Sequence, residues 1–112
     1  MDEKLRNPLS EELVRMSEKD QAMRNKSMQG EPWDSSIDVA NTERLKAIVQ
    51  KCGWPTISEF GVEGAQAAWL IAQHADHDVD FQSECLELMK KENPDELNPT
   101  QLAYLEDRVR VN

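Results

Sequence analysis

GVEGAQAAWLIAQHADHDV, residues Gly61–Val79, is the most apolar stretch of the chain, and the architecture follows from it. Two adjoining apolar stripes run along a helix starting near Val62, Ala65–Ala68–Trp69–Ala72 and Ala67–Leu70–Ile71. Only Glu63, Gln66, Gln73 and His77 form a polar line. A helix apolar over most of its circumference is packed on several sides, so this one is central. Its alanines permit close approach and Trp69 supplies bulk. The segment then ends in His74-Ala75-Asp76-His77-Asp78, a sudden concentration of polar side chains.

Working outward, four more helices are expected. Ser10 reads as an N-cap followed by Glu11 and Glu12, which complement the helix dipole. That first helix runs to about Ser27 on a stripe of Leu9, Leu13, Met16 and Met23. A second spans roughly Asp38–Lys51 and buries Leu45, Ile48, Val49 and Cys52, with Asn41 one turn before Leu45. Gly53 suits the residue after its end, Pro55 prevents continuation, and Trp54 plugs the core there. Glu31–Ser36, with Pro32 and Trp33, reads as a loop, and Thr56–Phe60 as a connector. Asp78 caps a fourth helix, Val79 to about Lys91, carrying Phe81, Cys85, Leu88 and Met89. Asn98 and Pro99 open a fifth, with Leu102, Leu105 and Val109 inward. The expectation is an all-α, single-domain irregular or orthogonal bundle of about five helices over residues 8–112, preceded by a flexible 1–7.

Composition narrows the function classes. At 112 residues the chain holds one modest core. With 38% hydrophobic and 31% charged residues, that core must come from narrow stripes on amphipathic helices. The net charge of −9 is concentrated from Ile57 onward, where twelve acids face four bases. Such a surface repels nucleic acid and anionic membrane. It keeps a protein dispersed, or it meets a basic partner surface. Two cysteines, no apolar leader and no membrane-length run point to a cytoplasmic protein.

No glycine-rich phosphate loop, nucleophile elbow or HExxH is present, so no cofactor is expected. HADHD has the look of a metal box, but His77 falls on the polar line and Asp78 is a cap, so no metal is expected either. Helical rotation also puts His74 and Asp76 about 200° apart, so they cannot share one small site while both are helical. The better constellation is polar residues at positions that periodicity assigns to the core. Asp20 falls on the first helix's stripe with Arg24 one turn on. Gln73 and His74 end the third helix, and Asp107 and Arg108 flank the fifth helix's apolar face. Converged, they give His74 as general acid or base, carboxylates to orient it, and arginines for a polar or anionic ligand. Unconverged, they are a structural network within an acidic interaction module.

Several motifs, Asp20-Gln21-x-x-Arg24, Gly53-Trp54-Pro55-Thr56, Gly64-Ala65…Ala68-Trp69-Leu70-Ile71-x-Gln73-His74-Ala75-Asp76, Phe81-Gln82 and Leu102-Ala103-Tyr104-Leu105-x-Asp107-Arg108-Val109-x-x-Asn112, are similar to those of a widespread bacterial family of small helical domains of unknown function. The resemblance spans about residues 13–112. It implies that Asp20, Gln21, Arg24, Gln73, His74, Asp76, Asp107, Arg108 and Asn112 belong to one shared feature. It also implies Pro where this chain has Val79, and a polar, glycine-containing continuation past Asn112.

Overall fold

A computed structural model describes residues 3–30 and 35–112, with side chains from Pro8 onward. Among the described residues there are five α-helices and no strand. They are α1 (Glu3–Met28), α2 (Ser35–Cys52), α3 (Ile57–Gln73), α4 (Val79–Lys91) and α5 (Pro99–Val111), with a 3₁₀ turn at Pro94–Glu96. The all-α bundle expected from periodicity is the fold. No helix among the described residues is long and apolar enough to cross a membrane.

α3 is the hub, touching every other helix. Its buried Ala67, Ala68, Ile71 and Ala72 meet Leu13 of α1, Leu45 and Ile48 of α2, Phe81, Cys85 and Met89 of α4, and Leu105 of α5 in one core. Each fully buried aliphatic side chain in it contributes about 1.5–3 kcal/mol. Close approach of α1 to α3 depends on Gly64. A β-carbon there would collide with Ser10 Oγ, which donates to the Phe60 carbonyl. Substitution therefore has to move backbone or break that bond.

Three boundaries differ from the sequence reading. Ser10 is not a cap: α1 begins at Glu3, runs through Pro8, and uses Ser10 to grip the start of α3. Residues 3–7 of the terminal segment therefore belong to α1. α2 begins at Ser35, so Ser35 and Ser36, expected in the Glu31–Ser36 loop, are helical, and residues 31–34 lie outside the described ones. Trp33 falls among them. Ile57–Phe60, after an extended Thr56, is a short helical lead-in rather than a plain connector. Gly61, at φ +76°, breaks it from the main run of α3. Only glycine adopts that backbone without strain.

The remaining boundaries follow the chemistry expected of them. Gly53 takes φ +76° and its N–H bonds the Val49 carbonyl 2.8 Å away, closing α2. Trp54 is buried behind it. Asp78 accepts from the Phe81 N–H at 3.1 Å and from Lys46 Nζ at 2.8 Å, so it caps α4 and ties it to α2. Asn98 accepts from the Thr100 and Gln101 N–H groups at the start of α5.

Candidate functional site

The inward stripe of α1 places Asp20 where an apolar side chain would be ordinary, and Asp20 is 1% exposed. A carboxylate buried that deeply without partners would cost several kcal/mol. Here it has three donors. Gln21 Nε2 lies 3.2 Å from Oδ2, Arg24 Nε 3.2 Å from Oδ1, and His74 Nδ1 2.9 Å from Oδ2. Burial works to raise the Asp20 pKa, but the hydrogen bond from His74, reinforced by the hydrogen bond and charge of Arg24, outweighs it and holds the carboxyl below its ordinary value. Asp20 is therefore the fixed anion of the cluster.

His74 reaches Asp20 because α3 stops one residue earlier. The last carbonyls of a helix need partners. Gln82 of α4, wholly buried, donates through Nε2 to the Ala72 and Gln73 carbonyls at 3.1 and 3.2 Å. The His74 N–H closes the last turn on Leu70 and Ile71, and the backbone then leaves the helical path. Arg24 Nε also lies 3.0 Å from His74 Nδ1, but one ring nitrogen cannot donate to Asp20 and accept from Arg24 at once. The ionised carboxylate is the stronger acceptor, so Nδ1 carries the proton and Arg24 Nε–H is shared across both Asp20 oxygens. That tautomer leaves the lone pair on Nε2, which has no protein partner among the described residues.

A second carboxylate cluster stands beside the first. Asp76 accepts from Arg108 Nε at 2.9 Å and from the Nη2 of the same guanidinium, a bidentate pair. It also accepts from Asn112 Nδ2 at 2.7 Å and Gln82 Nε2 at 3.1 Å. Asn112 Nδ2 donates in turn to Gln82 Oε1 at 2.9 Å. Arg108 above all, then Asn112 and Gln82 against the opposing effect of burial, hold the Asp76 carboxyl well below the usual carboxylate range.

Between the two clusters opens a cleft of ≈ 360 Å³. Arg24 of α1 forms one wall, and Ser35, Asp38 and Val39 in the first turns of α2 form another. His74, Asp76 and His77 from the α3–α4 turn, with Arg108 of α5, complete it. A larger groove of ≈ 460 Å³ between α1 and α3 presents Glu18, Glu63, Gln21 and Gln66, with no histidine or cationic side chain on its walls. Volume therefore does not mark the chemistry; the imidazole and guanidinium groups do.

The residues singled out in the sequence divide accordingly. Asp20, Gln21, Arg24 and His74 form the inner cluster; Asp76, Arg108 and Asn112 form the outer. His74 and Asp76 share the cleft, contrary to the expectation from helical rotation, because α3 has ended before either residue. Asp107 joins neither cluster: its side chain is 73% exposed and faces Arg110 at 3.4 Å. Gln73 does not line the cleft, and its Oε1 is buried without a hydrogen-bond partner among the described residues. Among the described residues no group of three His, Cys, Asp or Glu side chains is placed to hold a metal ion.

Asp38 escaped the sequence reading. Its carboxyl accepts from Arg24 Nη2 at 2.9 Å and its side chain is 12% exposed. The signal was there, since Asp38 extends the Asn41–Leu45 stripe of α2 by one turn. His77 was read as solvated, and it is exposed, but at the rim of the cleft.

The chain belongs to a family of unknown function (DUF6624), whose model matches residues 7–112. No curated protein and no solved structure matches it.

Proposed function

We propose that this member of the family binds a small polar or anionic ligand in the cleft and moves a proton on it through His74. The observation that carries the reading is the Asp20–His74 pair: a carboxylate 1% exposed, 2.9 Å from Nδ1 of an imidazole on a cleft wall. A buried carboxylate on one ring nitrogen fixes the tautomer and strengthens the other nitrogen as a base. Asp20 is then the positioning residue and His74 Nε2 the proton-transfer atom. Arg108 spends Nε and Nη2 on Asp76 and keeps Nη1 for a ligand carboxylate or phosphate. Asp76 and Asn112 set its angle. Arg24 links Asp20 to Asp38 and gives the inner wall its positive charge.

The competing reading, an acidic module for a basic protein surface, draws on the charge imbalance after Ile57. It expects His74 sealed in packing, whereas the His74 side chain lines the concavity and is 16% exposed. A cytoplasmic setting suits Cys52 and Cys85, which are not joined in a disulfide.

A thermal-shift screen of small carboxylates, phosphates and polar metabolites tests the proposal. At least one compound should raise the melting temperature of the wild type, and His74→Ala should fold cooperatively while losing that shift. A wild type that no compound stabilises, together with a His74→Ala variant that unfolds, would assign the cluster to structure alone.

A further inference from the structure

Charge around the cleft is divided between its walls rather than pooled. Three carboxylates, Asp20, Asp38 and Asp76, stand there against two guanidinium groups, Arg24 and Arg108. With both imidazoles neutral, these groups leave one negative charge in surplus. Arg108 is matched by Asp76, whereas Arg24 is shared between Asp20 and Asp38, so the surplus falls on the wall that α1 and α2 form. Asp38 accepts through Oδ1 from Arg24 Nη2 at 2.9 Å, and its Oδ2 has no donor among the described residues. That ion pair favours the ionised carboxylate, as does a place in the first turn of α2, at the positive end of the helix dipole. Burial above all, with the Asp20 charge beside it, still pushes the Asp38 carboxyl up against the pull of Arg24: one shared guanidinium does not neutralise two carboxylates. On the far wall, Arg108 commits Nε and Nη2 to Asp76, and its Nη1 has no acceptor among the described residues. One wall thus lacks a donor and the other an acceptor.

Resting on the reading of the cleft as a ligand site, we propose that its ligand is a small zwitterion with its charges at opposite ends, a terminal ammonium on Asp38 and a terminal carboxylate on Arg108. An ammonium only donates and a carboxylate only accepts, so each end meets the atom that lacks its complement. A purely anionic ligand gives Arg108 a partner but adds to the surplus beside Asp38. A purely cationic one leaves Nη1 unmatched. The zwitterion brings Asp38 a countercharge without changing the net charge of the site.

Size and position agree with such a ligand. The ≈ 360 Å³ of the cleft is at the low end of the range of about 300–1,000 Å³ found for small-molecule pockets. His74 stands in the α3–α4 turn, between the Asp38 and Arg108 walls. A molecule held at both ends therefore presents its middle to His74 Nε2. The proton that Nε2 takes comes from an atom between the charged ends, where the electron pair stays, and the imidazole becomes imidazolium.

Straight-chain ω-amino acids from glycine to aminohexanoate are the probes, each beside the alkanoate and the alkylamine of the same length. In titration calorimetry on the full chain at neutral pH and low salt, at least one amino acid should bind about tenfold tighter than either of its singly charged counterparts. That comparison uses the wild type alone. Asp38→Asn, checked for folding by circular dichroism, should bind the amino acid no better than the alkanoate. Arg108→Gln should bind it no better than the alkylamine. An alkanoate that matches its amino acid, an Asp38→Asn variant that keeps the margin, or a series in which nothing binds overturns the zwitterion. The proposed function fails separately. A simple anion that binds and loses its thermal shift in His74→Ala upholds that function while the zwitterion fails. Zwitterion binding that persists unchanged in His74→Ala does the opposite.

Discussion

Asp20 and Asp76 each accept from an arginine and from further side-chain donors, but they belong to different physical regimes. Asp20 is 1% exposed, and its partner Arg24 is 22% exposed. Asp76 and Arg108 are 42% and 41% exposed. At the inner site, water cannot replace a lost partner, so each donor matters fully and the imidazole orientation is dictated by the fold. At the outer site, water competes and the same bidentate geometry yields little net stability. The outer cluster instead fastens the end of α5 and Gln82 to the turn after α3, holding the far wall of the cleft. Orientation comes from the dry cluster, and access from the wet one.

Substitutions should separate the two in magnitude. Asp20→Ala removes the anion that three donors converge on and should cost about 3–5 kcal/mol in urea unfolding. Next is Gln82→Leu. It strips the Ala72 and Gln73 carbonyls and Asp76 of a buried donor, and should cost about 1–3 kcal/mol. Arg108→Ala should cost at most about 1 kcal/mol, an effect that shrinks further in high salt. An Asp20→Ala loss as small as that of Arg108→Ala would erase the distinction between the clusters.

Acid should act on both carboxylates in the same direction. Their folded-state pKa values lie below the ordinary one, so each contributes stability that is present above the unfolded value of about 3.9. That contribution is lost as pH falls through the folded value. Asp76→Asn should therefore flatten part of the acid limb of a pH–stability curve. A limb of unchanged steepness would mean that the Arg108 pair is broken in solution.

Much of the fold was legible because its signals are local. The α3 pattern, the Asp78 and Asn98 caps and Gly53 all act within a turn or two of their own positions. α1 was misjudged at Ser10 because a hydroxyl that normally caps was recruited by a carbonyl fifty positions away, at Phe60. Half of the candidate site was legible for a related reason: Asp20 and His74 break an apolar period. Asp38 breaks one too, but at a helix start, where an acidic residue is ordinary. Asp107 neighbours Arg108 in sequence but not in the cluster, because adjacent helical residues point about 100° apart. The convergence of His74 with Asp76 was invisible for a longer-range reason. It depends on Gln82, from the next helix, ending α3.

The account turns on one hydrogen bond, and ¹⁵N chemical shifts of the His74 ring test it most directly. At a pH where the ring is neutral, the wild type should show Nδ1 protonated and Nε2 bearing the lone pair, and Asp20→Asn should lose that preference. An Nε2-protonated ring, with Nδ1 accepting from Arg24 and no response to Asp20→Asn, would contradict it.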